Sequence, residues 1–152
     1  MAPIDLRPAT PDDCAFAYRV HCAAMRPSVE ETYGWDESWQ AQTFQQRFDP
    51  AKRQIIRYDG ADVGVLSVEE RDDSLFVALI AILPAYQRRG IGTSLIRRLQ
   101  EEASERGLAV TLRVLKVNRA RELYERLGFS LVGETDTHYQ MRWQADGTKP
   151  QT

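Results

Sequence analysis

The chain has 152 residues, the length of about one domain at roughly 150 residues per domain. Twenty Lys and Arg stand against 22 Asp and Glu, a formal net charge of −2, with 43% hydrophobic and 28% charged residues. Those proportions exclude a disordered chain, a collagen-like repeat and a disulfide scaffold, and the lack of a basic excess argues against a nucleic-acid partner.

Ile4 to Arg7 alternates apolar and polar residues, as a strand does. Thr10, Pro11, Asp12 and Asp13 then supply a capping hydroxyl, a first-turn proline and two acids for a helix start. A helix is predicted over residues 11–24, with Phe16, Val20 and Ala23 on its apolar side and Arg26-Pro27 ending it. Cys14 and Cys22 fall in that helix two turns apart, about 12 Å, too far for a disulfide. They read as small core residues of a protein in a reducing compartment. Neither they nor His21 and His138 show the short pair spacing of a zinc site. Residues 28–35 read as a loop holding Glu30, Glu31, Tyr33 and Gly34, and Asp36 caps a second helix over 37–48 with Trp39, Phe44 and Phe48 as its apolar face.

Three strands follow, at 54–58, 62–70 and 75–83, joined by Asp59-Gly60 and by the turn at 71–74. The third is continuously apolar, which implies burial on both faces. It is also the longest apolar run, far short of the roughly 18 residues of a membrane helix. The N-terminus has no apolar signal core, so a soluble cytoplasmic protein with no membrane partner is expected. Ile91, Leu95, Leu99 and Ala103, with Ile96 beside them, mark a helix stopped by Gly107. A strand over 108–115 leads to Asn118, a helix over 119–127 stopped by Gly128, and strands at 129–132 and 138–143; residues 146–152 read as a frayed tail. The order βααβββαβαββ is that of an α/β protein: a single domain over residues 1–145 with one twisted mixed sheet and helices on both faces.

Residues 83–95 carry the chemistry. A buried strand ends, a short loop holds Gly90 and Gly92, and a helix begins. Amides at a helix start lack intrahelical partners and sit at the positive end of the dipole, so the segment is a phosphate cradle, with Arg88 and Arg89 beside it. It lacks the lysine of a P-loop, and Leu95 stands where a dinucleotide fingerprint needs a third glycine.

The run Ile82-Leu83-Pro84-Ala85-Tyr86-Gln87-Arg88-Arg89-Gly90-Ile91-Gly92 resembles the acetyl-CoA signature of the GNAT superfamily of N-acetyltransferases, Gln/Arg-x-x-Gly-x-Gly/Ala after a strand. Residues 118–129, Asn118-Arg119-Ala120-Arg121-Glu122-Leu123-Tyr124-Glu125-Arg126-Leu127-Gly128-Phe129, resemble its other cofactor-side segment, and residues 6–13 its first strand and turn. The resemblance covers nearly the whole chain. It implies a sheet splayed into a V-shaped cleft between strands four and five. It also implies that acetyl-CoA lies with its pantetheine arm along Ile80, Ala81 and Ile82 and its pyrophosphate on the amides of Arg88, Arg89, Gly90, Ile91, Gly92 and Thr93. Asn118 matches a residue that bonds the cofactor arm and also suits a helix cap. Arg121, with Arg88, Arg89 and Arg119, is a candidate for the nucleotide's extra phosphate. Tyr124 matches the tyrosine that points at the thioester sulfur, a general acid, and the Ile82 N–H matches an oxyanion donor.

The acceptor side implied by the resemblance is residues 26–39, with Glu30, Tyr33 and Trp35 as contacts whose acidity and aromatic faces suit a cationic amine. Some relatives carry a glutamate base five residues before the asparagine. That position is Arg113 here, which cannot be a base and is instead a candidate for an acceptor carboxylate. Glu69, Glu30, Glu31 and His138 remain as bases acting through water. The expected activity is acetyl transfer from acetyl-CoA to a primary amine; the alternative is a non-catalytic acyl-CoA sensor. The acceptor and the oligomeric state stay open, a homodimer included.

Overall fold

The computed structural model describes residues 2–145; the tail expected at 146–152 lies outside them. The strands are β1 (Ile4–Pro8), β2 (Gln54–Tyr58), β3 (Ala61–Glu70), β4 (Ser74–Ile82), β5 (Ala109–Leu115), β6 (Ser130–Glu134) and β7 (His138–Trp143). The main helices are α1 (Cys14–Val20), α2 (Arg26–Tyr33), α3 (Glu37–Arg47), α4 (Ile91–Arg106) and α5 (Ala120–Arg126). One mixed sheet carries the strands in the order β1-β2-β3-β4-β5-β7-β6, with β4 and β5 parallel and β7 antiparallel to β5. This is the α/β class expected. Among the described residues no helix is long and apolar enough to cross a membrane. By packing, the described residues form two compact units: residues 2–67 with Leu79–Ile91, and Val68–Ala78 with residues 92–145.

In the first unit β1 pairs antiparallel with β2 from Ile4↔Tyr58 to Pro8↔Gln54, and β2 with β3. The hairpin at Asp59 and Gly60 has φ of 51° and 80°, the two left-handed positions of a tight primed turn. Ala17, Val20, Ile55, Val65 and Ala81 form the core. Gly64 is required there: a Cβ would overlap the Ala81 carbonyl oxygen and lie 3.2 Å from Ile82 Cα, so its absence lets β3 press against the end of β4. Arg7 clamps the first turn. Its guanidinium donates to both Asp13 oxygens at 2.9 Å and to Asp62 at 3.0 Å, while Asp13 also accepts from the Thr10 N–H at 2.8 Å.

The helix that should end at Arg26-Pro27 does not. It passes through a π-helical turn, His21–Met25, and continues as α2 to Tyr33. Proline lacks an N–H and clashes with the carbonyl four residues back in a regular helix; a π turn placed before it removes both objections. An Arg26–Glu30 ion pair at 3.1 Å and a Thr32 hydroxyl donating to the Ser28 carbonyl at 2.8 Å then hold α2. The expected loop shrinks to Gly34, with φ of 80°, and the two residues after it. Asp36 caps α3 as anticipated, accepting from the Trp39 N–H at 2.9 Å, but Trp39 itself is 56% exposed and not part of a core face. Cys14 and Cys22 are free thiols, half-buried rather than fully interior.

In the second unit the described β4–β5 ladder runs from Ser74↔Ala109 to Val77↔Leu112. Leu95, Ile96 and Ala103 of α4 are buried, as are Val110, Leu112 and Val114 of β5. Both helices end on the predicted glycines. Gly107 (φ 69°) lets the Leu108 N–H reach the Ala103 carbonyl at 2.8 Å, and Gly128 (φ 94°) lets the Phe129 N–H reach the Tyr124 carbonyl at 3.0 Å, the six-to-one bond of a Schellman end. The continuous apolar run of β4 is not buried throughout: Ser74, Leu75 and Val77 are buried, but Ala78 is exposed and Leu79, Ile80 and Ile82 are half-exposed.

Two outcomes follow. Gly64→Ala should lower stability by on the order of 1–3 kcal/mol, measured by urea unfolding. The Arg7 hydrogen bonds hold the Asp13 carboxyl down from 3.8 to about 2. A depressed carboxylate contributes stability above its unfolded pKa and loses it as pH falls through the folded one. Between about pH 4 and pH 2 the wild type should therefore lose on the order of 1–2 kcal/mol more than Asp13→Asn, after discounting for solvent around half-exposed Arg7. Urea midpoints taken across that window read the difference.

Candidate functional site

The cradle is built by the turn that leads from β4 into α4. The Leu83 N–H donates to the Val63 carbonyl at 2.9 Å, tying the residue after β4 to β3. A single 3-10 turn, Pro84–Tyr86, follows, closed by the Tyr86 N–H on the Leu83 carbonyl at 2.9 Å and the Gln87 N–H on the Pro84 carbonyl at 3.2 Å. The Gln87 side-chain amide donates to the Ile82 carbonyl at 2.8 Å, fastening the turn to the strand end. Arg88 (φ 64°) and Gly90 (φ 81°) are both left-handed; only glycine takes that conformation without strain. Such residues aim successive N–H groups toward one side, the geometry of an anion-binding concavity. Ile91 then buries its side chain and α4 begins, leaving the amides of its first turn without intrahelical partners. Arg88 and Arg89 are exposed, and the Arg89 guanidinium lies 5.3 Å over the Tyr86 ring, which meets Tyr58 edge-on. Ile80, Ala81 and Ile82 therefore run directly into the cradle, with Ala81 buried and the isoleucines half-exposed. Thr93 is half-buried within the first turn of α4.

Glu30, Tyr33 and Trp35, expected on the acceptor side, lie in the first unit at or beside the α2–α3 junction. Tyr33, Gly34, Trp35 and Asp36 line an open concavity with Val29, Trp39 and Gln40. The Trp35 indole donates to Glu37 at 2.6 Å, with Arg26 5.0 Å over its ring and the His21 imidazole stacked at 5.6 Å. His21 Nε2 meets Gln40 Oε1 at 3.0 Å. Glu30 does not line the concavity and is engaged by Arg26. Sequence reasoning missed His21, Arg26 and Gln40 as neighbours of Trp35, because they come together only where the π turn brings α1 and α3 side by side. Tyr33 is 63% exposed.

In the second unit Tyr124 closes α5. Its ring packs edge-on against Phe129 at 5.7 Å, only 7% of the residue is exposed, and burial pushes the phenol up to about 12. Asn118 caps α5, its side-chain oxygen accepting from the Ala120 N–H at 2.9 Å. Arg121 bonds Glu125 along the helix and lies 4.4 Å over the Tyr139 ring, so its charge is already engaged. Arg113 is exposed on β5 opposite Gln140. Of the base candidates, Glu69 is paired with Arg71 at 3.4 Å. His138 is held below its usual pKa, first by burial and then by the charge of Arg113.

Residues 17–129 match the sequence model described as "Acetyltransferase (GNAT) family". The ribosomal protein bS18-alanine N-acetyltransferase of Haemophilus influenzae is 41% identical over 61 residues, 40% of this chain. That alignment covers 42% of the relative, so the chain spans less than half the length of the curated relative it matches. Among solved structures, the PaiA N-acetyltransferase of Thermoplasma acidophilum in complex with coenzyme A aligns with a TM-score of 0.76 and 13% identity, covering 94% of this chain and 99% of that one. The ribosomal-protein-S18-alanine N-acetyltransferase of Escherichia coli aligns with a TM-score of 0.67 and 22% identity, covering 99% and 100%. At those identities the likeness is one of fold.

Proposed function

The chain belongs to the Acetyltransferase (GNAT) family, and on that premise we propose that it transfers the acetyl group of acetyl-CoA to a primary amine in the cytoplasm. The observation that carries the reading is the turn from Gln87 into α4, where left-handed Arg88 and Gly90 lead into a helix start, whose first amides have no intrahelical partner. A diphosphate is the ligand such a concavity suits. In this reading the amides of residues 88–93 take the pyrophosphate. The half-exposed apolar end of β4, Ile80, Ala81 and Ile82, takes the pantetheine arm, and Asn118 bonds the arm while capping α5. Arg88 and Arg89 face the nucleotide end, and Arg121 joins them only by giving up Glu125. Tyr33 and Trp35 contact the acceptor, and Glu30, outside the concavity, joins them only by releasing Arg26.

Amide formation moves one proton from the amine nitrogen to the departing sulfur. The acceptor must arrive as the free amine, whose pKa is near about 10.4 for a lysine-like group. Attack on the thioester carbonyl builds an oxyanion, which the Ile82 N–H stabilises. Tyr124 gives its phenolic proton to the thiolate as the C–S bond breaks and regains one from the new amide nitrogen through water. Burial pushes the phenol up to about 12, so the proton is in place at neutral pH and is given up only as the thiolate develops. The narrower reading, an α-amino group of a protein, draws only on the names of the two bS18-alanine relatives.

Calorimetry with coenzyme A and thiol release from acetyl-CoA across an amine panel test the proposal. Micromolar binding with release supports it; binding without release from any amine favours a sensor, and no binding overturns it. Tyr124→Phe keeps the ring on Phe129 and should lower kcat by about 10²- to 10⁴-fold, the usual range for a general acid, with coenzyme A affinity unchanged. An unchanged kcat would leave Tyr124 as packing alone.

A further inference from the structure

The concavity at the α2–α3 junction holds one polar group that the fold leaves half used. Gln40 is the one buried residue of α3, only 9% exposed, and it lines the concavity with Tyr33, Trp35 and Trp39. Its carbonyl oxygen is committed. Oε1 lies 3.0 Å from His21 Nε2, and because that oxygen can only accept, the imidazole donates. The carboxamide nitrogen carries two more donors, and among the described residues nothing accepts from them. Nor is that nitrogen sealed in. Arg57 Nε is the one fully enclosed side-chain polar atom without a partner among the described residues, so the Gln40 amide keeps an opening, and the surface that Gln40 shares is the concavity.

A half-used carboxamide in an aromatic-walled hollow suits a ligand oxygen set beside an apolar group. The charges around it decide which oxygen. Asp36 is the one charged residue of the lining. It accepts from the Trp39 N–H at 2.9 Å, and no cation pairs with it among the described residues. The guanidinium over Trp35, that of Arg26, is taken by Glu30 at 3.1 Å and Glu37 at 3.6 Å. A free carboxylate here would meet a like charge and no open cation; a neutral carbonyl would meet the Gln40 donors alone. We propose that Gln40 donates to a neutral carbonyl oxygen of the acceptor while the aromatic walls take an adjoining apolar side chain. The acceptor class is then an apolar amino-acid residue whose carboxyl group is held in amide linkage. That the ligand is an acceptor rests on the acetyltransfer reading; the preference for the carbonyl does not.

The test reads binding without turnover. Tryptophan fluorescence, to which Trp35 and Trp39 contribute from the lining, follows titration with L-phenylalaninamide, phenethylamine and L-phenylalanine, and with the matching leucine series. The titrations run at about pH 6, where all the amino groups are protonated alike. The wild type should bind an amide about 3- to 10-fold tighter than the amine that lacks its carbonyl, the range of one net hydrogen bond, and the free acid no tighter than that amine. Gln40→Glu keeps the oxygen that His21 needs and loses the donors, so it should abolish or reverse the amide preference. Gln40→Met keeps the volume and loses the whole carboxamide, so it should level amide and amine; one variant thus preserves the His21 bond and the other the packing. No amide preference in the wild type, a free acid that binds as tightly as the amide, or the same preference surviving in either variant overturns the proposal. Failure of the acetyltransfer reading shows separately, as absent thiol release from acetyl-CoA with the same amides while the fluorescence preference persists.

Discussion

A chain that leaves a strand and enters a helix within a few residues must dispose of amides that neither element can satisfy. Here the turn after Ile82 spends its hydrogen bonds on itself, through Tyr86, Gln87 and the Gln87 side chain. The next amides, from Arg88 into α4, have a left-handed backbone at two of their first three positions. That conformation strains Arg88, and a turn with no use for it would be expected to relax. Its retention beside the helix dipole supports the proposed anionic ligand, which would satisfy several donors at once.

The end of β4 is open in a way that fits the same proposed ligand. A continuous apolar strand would ordinarily be covered on both faces. Its first half is, but Ala78 to Ile82 is exposed or half-exposed apart from Ala81, and Ala81 is buried because Gly64 lets β3 come close. The position of the cradle thus depends on a residue with no side chain on a neighbouring strand.

Much of this was legible in the sequence, for a physical reason. Glycine and proline act locally, so the stops at Gly107 and Gly128, the hairpin at Asp59-Gly60 and the cap at Asp36 followed from neighbours a few residues away. Pro27 misled because its usual effect was cancelled by the π turn over His21–Met25, and nothing in that stretch of sequence announces a wider turn. The Arg7–Asp13–Asp62 clamp was hidden for another reason: Arg7 and Asp62 are 55 residues apart and meet only when β1 and β3 flank β2. The same holds for His21 and Gln40 beside Trp35.

In the proposed reaction Tyr124 carries a chemical role as well as a packing one. Its backbone carbonyl accepts the Phe129 N–H that ends α5, and its ring rests on Phe129, so the helix end, the glycine after it and the aromatic pair fix where the phenol can point. That fixed, desolvated setting raises the phenol toward 12. A flexible, hydrated tyrosine would titrate near about 10 and lose entropy each time it aligned with a leaving group. Packing and the proposed proton donation are then compatible readings of Tyr124: the first supplies the fixed orientation that the second would require.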